Sequence, residues 1–211
     1  METHTRTRTR IVVLATVVVS MLAALPGTAG AAAGFGDVEA DRYYTDAVQW
    51  MVGEEITEGI EVGCFGPHLD VTRGQVAAFL HRLDRSLGND PESGPHPFAD
   101  VTAEYQHEPV GWLFQSGLTT GKSASTYAPH ESITRGDFAV LVWRYAGEPT
   151  AANAHPFRDV TRGYQQHAIS WMFEQEITTG KTATAFAPEA PVSRAEAATF
   201  LFRYVDPDEI A

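Results

Sequence analysis

Apolar residues recur at helical spacing in six separated stretches of this chain, and the stretches form three matching pairs. Ala47, Val48 and Met51 predict a first helix over 45–54. Val110, Leu113 and Phe114 predict its counterpart over 108–115, and Ile169, Met172 and Phe173 a third over 166–175. Pro109 fits if it lies in the first turn, where a missing N–H costs nothing. The second helix of each pair starts at a hydroxyl followed three residues later by an amide or acid: Thr72/Gln75, Thr134/Asp137 and Ser193/Glu196. Such pairs satisfy each other's free backbone N–H groups. Asp137, being short, makes the weakest box. Apolar stripes continue through Phe79, Leu80 and Leu83, through Leu141, Val142 and Tyr145, and through Phe200, Leu201 and Tyr204.

The punctuation between helices repeats as well. Each copy opens on Phe-x-Asp-Val (Phe35, Phe98, Phe157), turns at Gly59, Gly121 or Gly180, and reaches an aromatic-x-Pro six residues later. Residues 35–85, 97–146 and 156–206 are therefore one supersecondary unit written three times, joined by linkers rich in Pro, Gly and small polar residues. A two-helix unit cannot bury both faces alone. The expected fold is mainly α, with three two-helix repeats packed as a pseudo-threefold helical bundle; the alternative is a linear array.

Ahead of the repeats, Arg6, Arg8 and Arg10 precede an apolar run from Ile11 to Leu25 and an Ala31-Ala32-Ala33 cleavage site, so residues 1–33 read as a secretory signal peptide. An uncleaved anchor is the alternative, and no membrane span is expected once the signal is removed. Taking three Arg and one Glu from 15 basic and 27 acidic residues leaves 12 and 26, a formal net charge of −14. That acidity excludes a nucleic-acid partner held by phosphate neutralisation. Cys64 is a single cysteine, so no intramolecular disulfide can form; it occupies the slot of Thr126 and Ala185. The histidines form no ligand cluster, so no zinc site or cofactor is expected, and no nucleophile, base and orienting acid recur together. Trp50, Trp112 and Trp171 sit on amphipathic helices and read as core.

The cations are more informative. Arg73, Arg135 and Arg194 stand at the start of each second helix, where a planar fork of donors and free N–H groups suit a carboxylate. The competing reading pairs each with the Asp of a Phe-x-Asp-Val element (Asp37, Asp100, Asp159). Lys122 and Lys181 are the chain's two lysines, and both directly follow the turn glycine; the first copy has Ile60 there. An open cleft holding Arg135 with Lys122, or Arg194 with Lys181, and no paired carboxylate would favour binding over a structural role.

Phe-x-Asp-Val, Ile/Leu-Thr-x-Gly, aromatic-x-Pro and Thr/Ser-Arg-x-acid or amide, three times in order, resemble the S-layer homology family. The resemblance implies a trimer-like bundle whose inter-copy grooves bind an acidic secondary wall polymer, commonly ending in a pyruvylated sugar. It implies Arg73, Arg135 and Arg194 as ligand contacts. Tyr43, Tyr105 and Tyr164 stand where the family usually has Trp, and Gly74 and Gly136 depart from its Thr-Arg-Ala-Glu motif, which Ser193 to Glu196 matches best. The resulting expectation is a non-catalytic protein, secreted to the cell wall or surface, that binds an anionic wall polysaccharide, mainly through the second and third copies. The alternative is a structural module with an envelope protein partner and no glycan ligand. A small wall hydrolase using paired acids is the third reading.

Overall fold

The computed structural model describes residues 31–205, and these are mainly helical. The predicted signal segment lies outside the described residues except for its last three, of which Ala31–Ala32 (β1) pairs antiparallel with Phe35–Glu39 (β2). The helices are α1 (Thr45–Gly53), α2 (Arg73–Ser86), α3 (Glu104–Gln115), α4 (Arg135–Tyr145), α5 (Gly163–Glu174) and α6 (Arg194–Val205). Among the described residues, no helix is long and apolar enough to cross a membrane.

Two first helices begin earlier than the apolar pattern predicts. α3 starts at Glu104 and α5 at Gly163, so Pro109 lies inside α3 rather than in its first turn, with its ring buried. The extra turn is polar and carries Tyr105 and Tyr164, which apolar periodicity cannot register. The second helices start as expected. Thr72 with Gln75 and Ser193 with Glu196 form reciprocal caps, whereas at Thr134 only one half of the box forms, the Asp137 N–H donating to the Thr134 hydroxyl.

Three helix pairs join the copies to one another in a closed circuit. α2 packs on α3, α4 on α5, and α6 on α1, so each copy's second helix meets the next copy's first, and a linear array is excluded. At the centre, three backbone hydrogen bonds run head to tail. Val71 N–H donates to Val192 (2.9 Å), Val192 N–H to Ile133 (3.1 Å), and Ile133 N–H to Val71 (3.0 Å). All three side chains are buried, so these bonds are dry and costly to break.

Val48, Met51, Leu80, Leu83, Leu113, Ile169, Met172 and Leu201 are fully buried, each contributing on the order of 2 kcal/mol of hydrophobic burial. Trp112 and Trp171 are also core, and Trp50 is half-buried. The Phe-x-Asp-Val element is a clasp within its own copy. Asp37 accepts from the Phe65 and Gly66 N–H groups, Asp100 from Tyr127 and Ala128, and Asp159 from Phe186 and Ala187, at 2.7–2.9 Å. The Phe of the same element seals the turn glycine, because a Cβ on Gly121 would stand 2.3 Å from the Phe98 ring and the backbone there has φ +77°.

Candidate functional site

The three arginines at the helix starts are bridges between copies. Arg73 Nε donates to the Tyr127 carbonyl (2.7 Å), Arg135 Nε to Phe186 (2.9 Å), and Arg194 Nε to Phe65 (2.6 Å). Each guanidinium also lies over the ring of that same aromatic residue, at 4.8, 4.7 and 4.6 Å from its centroid. The aspartates are occupied by backbone N–H groups, and no Arg–Asp ion pair joins them among the described residues. The competing reading, Arg paired with Asp, thus gives way to Arg on carbonyl and ring.

This bridging shifts every arginine by one copy relative to the lysines. A cavity of about 240 Å³ is lined by Arg73 of the first copy, Lys122 and Arg144 of the second, and Tyr164 of the third. A second cavity, of about 320 Å³, is lined by Arg135 of the second copy, Lys181, Glu196 and Arg203 of the third, and Tyr43 of the first. Each groove thus draws on all three copies. Lys122 meets Arg73 rather than Arg135, and Lys181 meets Arg135 rather than Arg194. Arg194 and Tyr105 line neither cavity.

The two grooves differ in electrostatics because of the residue three places into each second helix. Glu196 sits between two cations. Its carboxylate pairs with Arg135 Nη1 at 2.8 Å and with Lys181, while its other oxygen accepts from the Ser193 N–H. Burial works to raise the Glu196 carboxyl, but the Lys181 hydrogen bond and the Arg135 charge outweigh it and hold the group below its usual range. Burial likewise pushes the Arg135 guanidinium down, against the pull of Glu196.

Asp137 occupies the equivalent place beside Arg73 but is one methylene shorter, and it accepts from the Tyr164 hydroxyl at 2.8 Å. Arg73 has no carboxylate partner among the described residues, and Lys122 pairs with Glu131 in an exposed contact that salt screens. Of the two grooves, the Arg73 groove is therefore the one whose bridging arginine has no carboxylate ion pair among the described residues.

The first copy departs from both. Arg194 is 2% exposed with an unbonded Nη2, and burial pushes its guanidinium down to about 10, opposed by Asp37. In place of Lys122 and Glu131 stand Ile60 and Leu69, both half exposed, beside the fully exposed Val62.

Arg144, Arg203 and Glu196 are groove residues that sequence reasoning did not single out as ligands. A signal existed: Arg82, Arg144 and Arg203 each follow the first arginine by nine residues and donate to Ile56, Leu118 and Ile177 carbonyls. The Tyr164 hydroxyl, by contrast, reaches Asp137 of another copy, which no single-repeat pattern encodes.

Residues 34–77, 97–139 and 156–198 match the S-layer homology domain family. Among curated relatives, the S-layer protein of Bacillus thuringiensis subsp. finitimus is 26% identical over 90% of this chain and 24% of its own length. The endoglucanase of Bacillus sp. (strain KSM-635) is 32% identical over 54% of this chain and 12% of its own. The cellulosome-anchoring protein of Acetivibrio thermocellus is 23% identical over 71% of this chain and 35% of its own. The chain thus spans about a third or less of these relatives.

Proposed function

This chain belongs to the S-layer homology domain family, and from that premise we propose that it is a non-catalytic module that binds an anionic cell-wall glycopolymer at the Arg73 groove. A cell-surface or cell-wall location follows from the family and its S-layer relatives. The observation that carries the ligand reading is Arg73 itself, lining a cavity with Lys122 and Arg144 and lacking a carboxylate partner among the described residues.

A guanidinium held by Tyr127 through Nε leaves its outer N–H groups to grip a carboxylate, such as that of a uronic acid or a pyruvyl ketal. Lys122 exchanges an exposed ion pair for the incoming charge at small cost. The Tyr164 ring, half exposed at the rim, offers a face to the sugar. Glu196 already neutralises the equivalent cations in the Arg135 groove, so that groove contributes less to anion binding.

Retention on purified cell wall should fall with salt and fall sharply in Arg73→Ala, while Lys181→Ala, a half-exposed position in the neutralised groove, leaves it nearer the wild-type value. Equal retention in Arg73→Ala and wild type would sink this assignment. The exposed Ile60, Val62 and Leu69 favour a second reading, in which the first copy docks an envelope protein. Co-purification of one defined protein, lost in Val62→Asp and independent of wall, would support it.

A further inference from the structure

Beside the Arg135 groove lies a cavity of about 950 Å³, within the range of small-molecule sites. The two spaces share Tyr43, Thr178, Thr179, Thr199 and Arg203, so they are continuous, yet their chemistry is opposite. We infer that this larger cavity, between α1 and the third copy, is a binding site for a neutral oligosaccharide. This goes beyond the anion-binding role of Arg73, from which it is independent.

Charge supports the assignment first. Three carboxylates, Asp46, Glu174 and Glu176, line the cavity against one cation, Arg203, whose Nη1 is directed at the Ile177 carbonyl at 3.5 Å. Lys181 and Arg135 lie in the adjoining groove and are held by Glu196. An anionic chain entering here would meet repulsion, whereas sugar hydroxyls would meet acceptors. Asp46 and Glu176 are exposed, so solvent screens their pull on a cation.

Shape and polarity agree. Phe173 and Tyr43 are 36% and 64% exposed and line the space with the half-buried Phe202. An aromatic face left open to water is poorly used there and suits the C–H face of a pyranose ring. Donors and acceptors sit around it. Glu174 is fixed by the Asn153 side chain (3.0 Å) and the Ala152 N–H (2.9 Å), so its carboxylate is oriented before a ligand arrives.

The test titrates cellotriose, maltotriose and triacetylchitotriose separately into the protein, with glucosamine as a cationic control. Intrinsic tryptophan fluorescence is the readout, because the Trp50 ring lies 5.7 Å from that of Phe202. At least one trisaccharide is expected to bind saturably, with a Kd around the millimolar level and little salt dependence. Phe173→Ala should weaken binding at least about tenfold. Thr179→Trp, a substitution at an exposed rim position that leaves the core untouched, should block it, and Arg73→Ala should leave it unchanged. Absence of saturation with all three sugars, or binding indifferent to both cavity variants, overturns the site. Binding by glucosamine alone, lost in salt, also overturns it and assigns the carboxylates to a cation. Trisaccharide binding without Arg73-dependent wall retention would refute only the anionic reading.

Discussion

Arg73 and Tyr127 hold each other twice: Arg73 Nε donates to the Tyr127 carbonyl at 2.7 Å, and the Tyr127 hydroxyl donates to the Arg73 carbonyl at 3.0 Å. The pair joins the first copy to the second and aims the guanidinium at Lys122's groove. Burial pushes the Tyr127 hydroxyl up to about 12 against the lowering effect of Arg73, so it stays a donor across the physiological range.

Tyr127→Phe should therefore cost about 1 kcal/mol of stability and leave wall retention intact, since Phe65 and Phe186 serve at the same position in the other copies. Arg73→Lys keeps the charge but loses the fork and the stacked plane, and should weaken retention about tenfold. Denaturant melts and a wall-binding isotherm check both. Full retention in Arg73→Lys would mean that charge alone suffices.

Glu196→Gln tests the neutralised groove. Gln75 shows that an amide can still cap the helix, so the substitution removes charge more than geometry. Leaving Arg135 buried without its carboxylate should destabilise the fold by on the order of 3 kcal/mol. Anion binding at that groove should rise. Lower stability without added acidic-sugar affinity would show that Glu196 is structural alone.

The glycines that replace Ala in the first two motifs answer to the next copy. A Cβ on Gly136 would stand 2.2 Å from Gln165 Nε2 and 2.6 Å from its Cδ, and Gln165 is fully buried. Gly136→Ala should cost about 1–3 kcal/mol despite its better helix propensity. Combining it with Gln165→Ala should recover part of that loss, visible as a coupling energy in a double-mutant cycle of urea melts.

His81 should give the fold an acid sensitivity. It is 2% exposed at the α2–α3 contact, edge-on to Trp112, with Glu108 at 3.8 Å and Arg85 and Asp84 nearby. Burial lowers its pKa in the folded state, and Glu108 only partly opposes this. Below an unfolded value of about 6.5 the unfolded chain binds a proton that the folded chain refuses. Stability should then decline as pH falls through that value, by up to about 1.4 kcal/mol per unit, until the folded pKa is reached. His81→Phe should flatten this slope in thermal melts near pH 7.5 and near pH 5.5.

Much of the fold was legible because helix spacing, caps and turn residues are local, and three copies repeat the message. The start of α3 is not legible from apolar periodicity because its first turn, with Tyr105 and Gln106, is polar toward solvent and toward Gly74 of the preceding copy. The charged positions were legible as a set. Their partners were not, because a repeat alignment places Arg135 with Lys122 and Arg194 with Lys181.

By itself the sequence determined six helices, their caps, the buried stripes and the recurring cations, all set by interactions within a few residues. Tertiary structure decided which cation meets which. Closing the circuit lets each arginine reach over the aromatic residue of the next copy, so Arg73 enters the groove of Lys122 and Tyr164, and Arg135 that of Lys181 and Tyr43. The side-chain length at one helix position then leaves Arg73 without a carboxylate partner among the described residues and compensates Arg135.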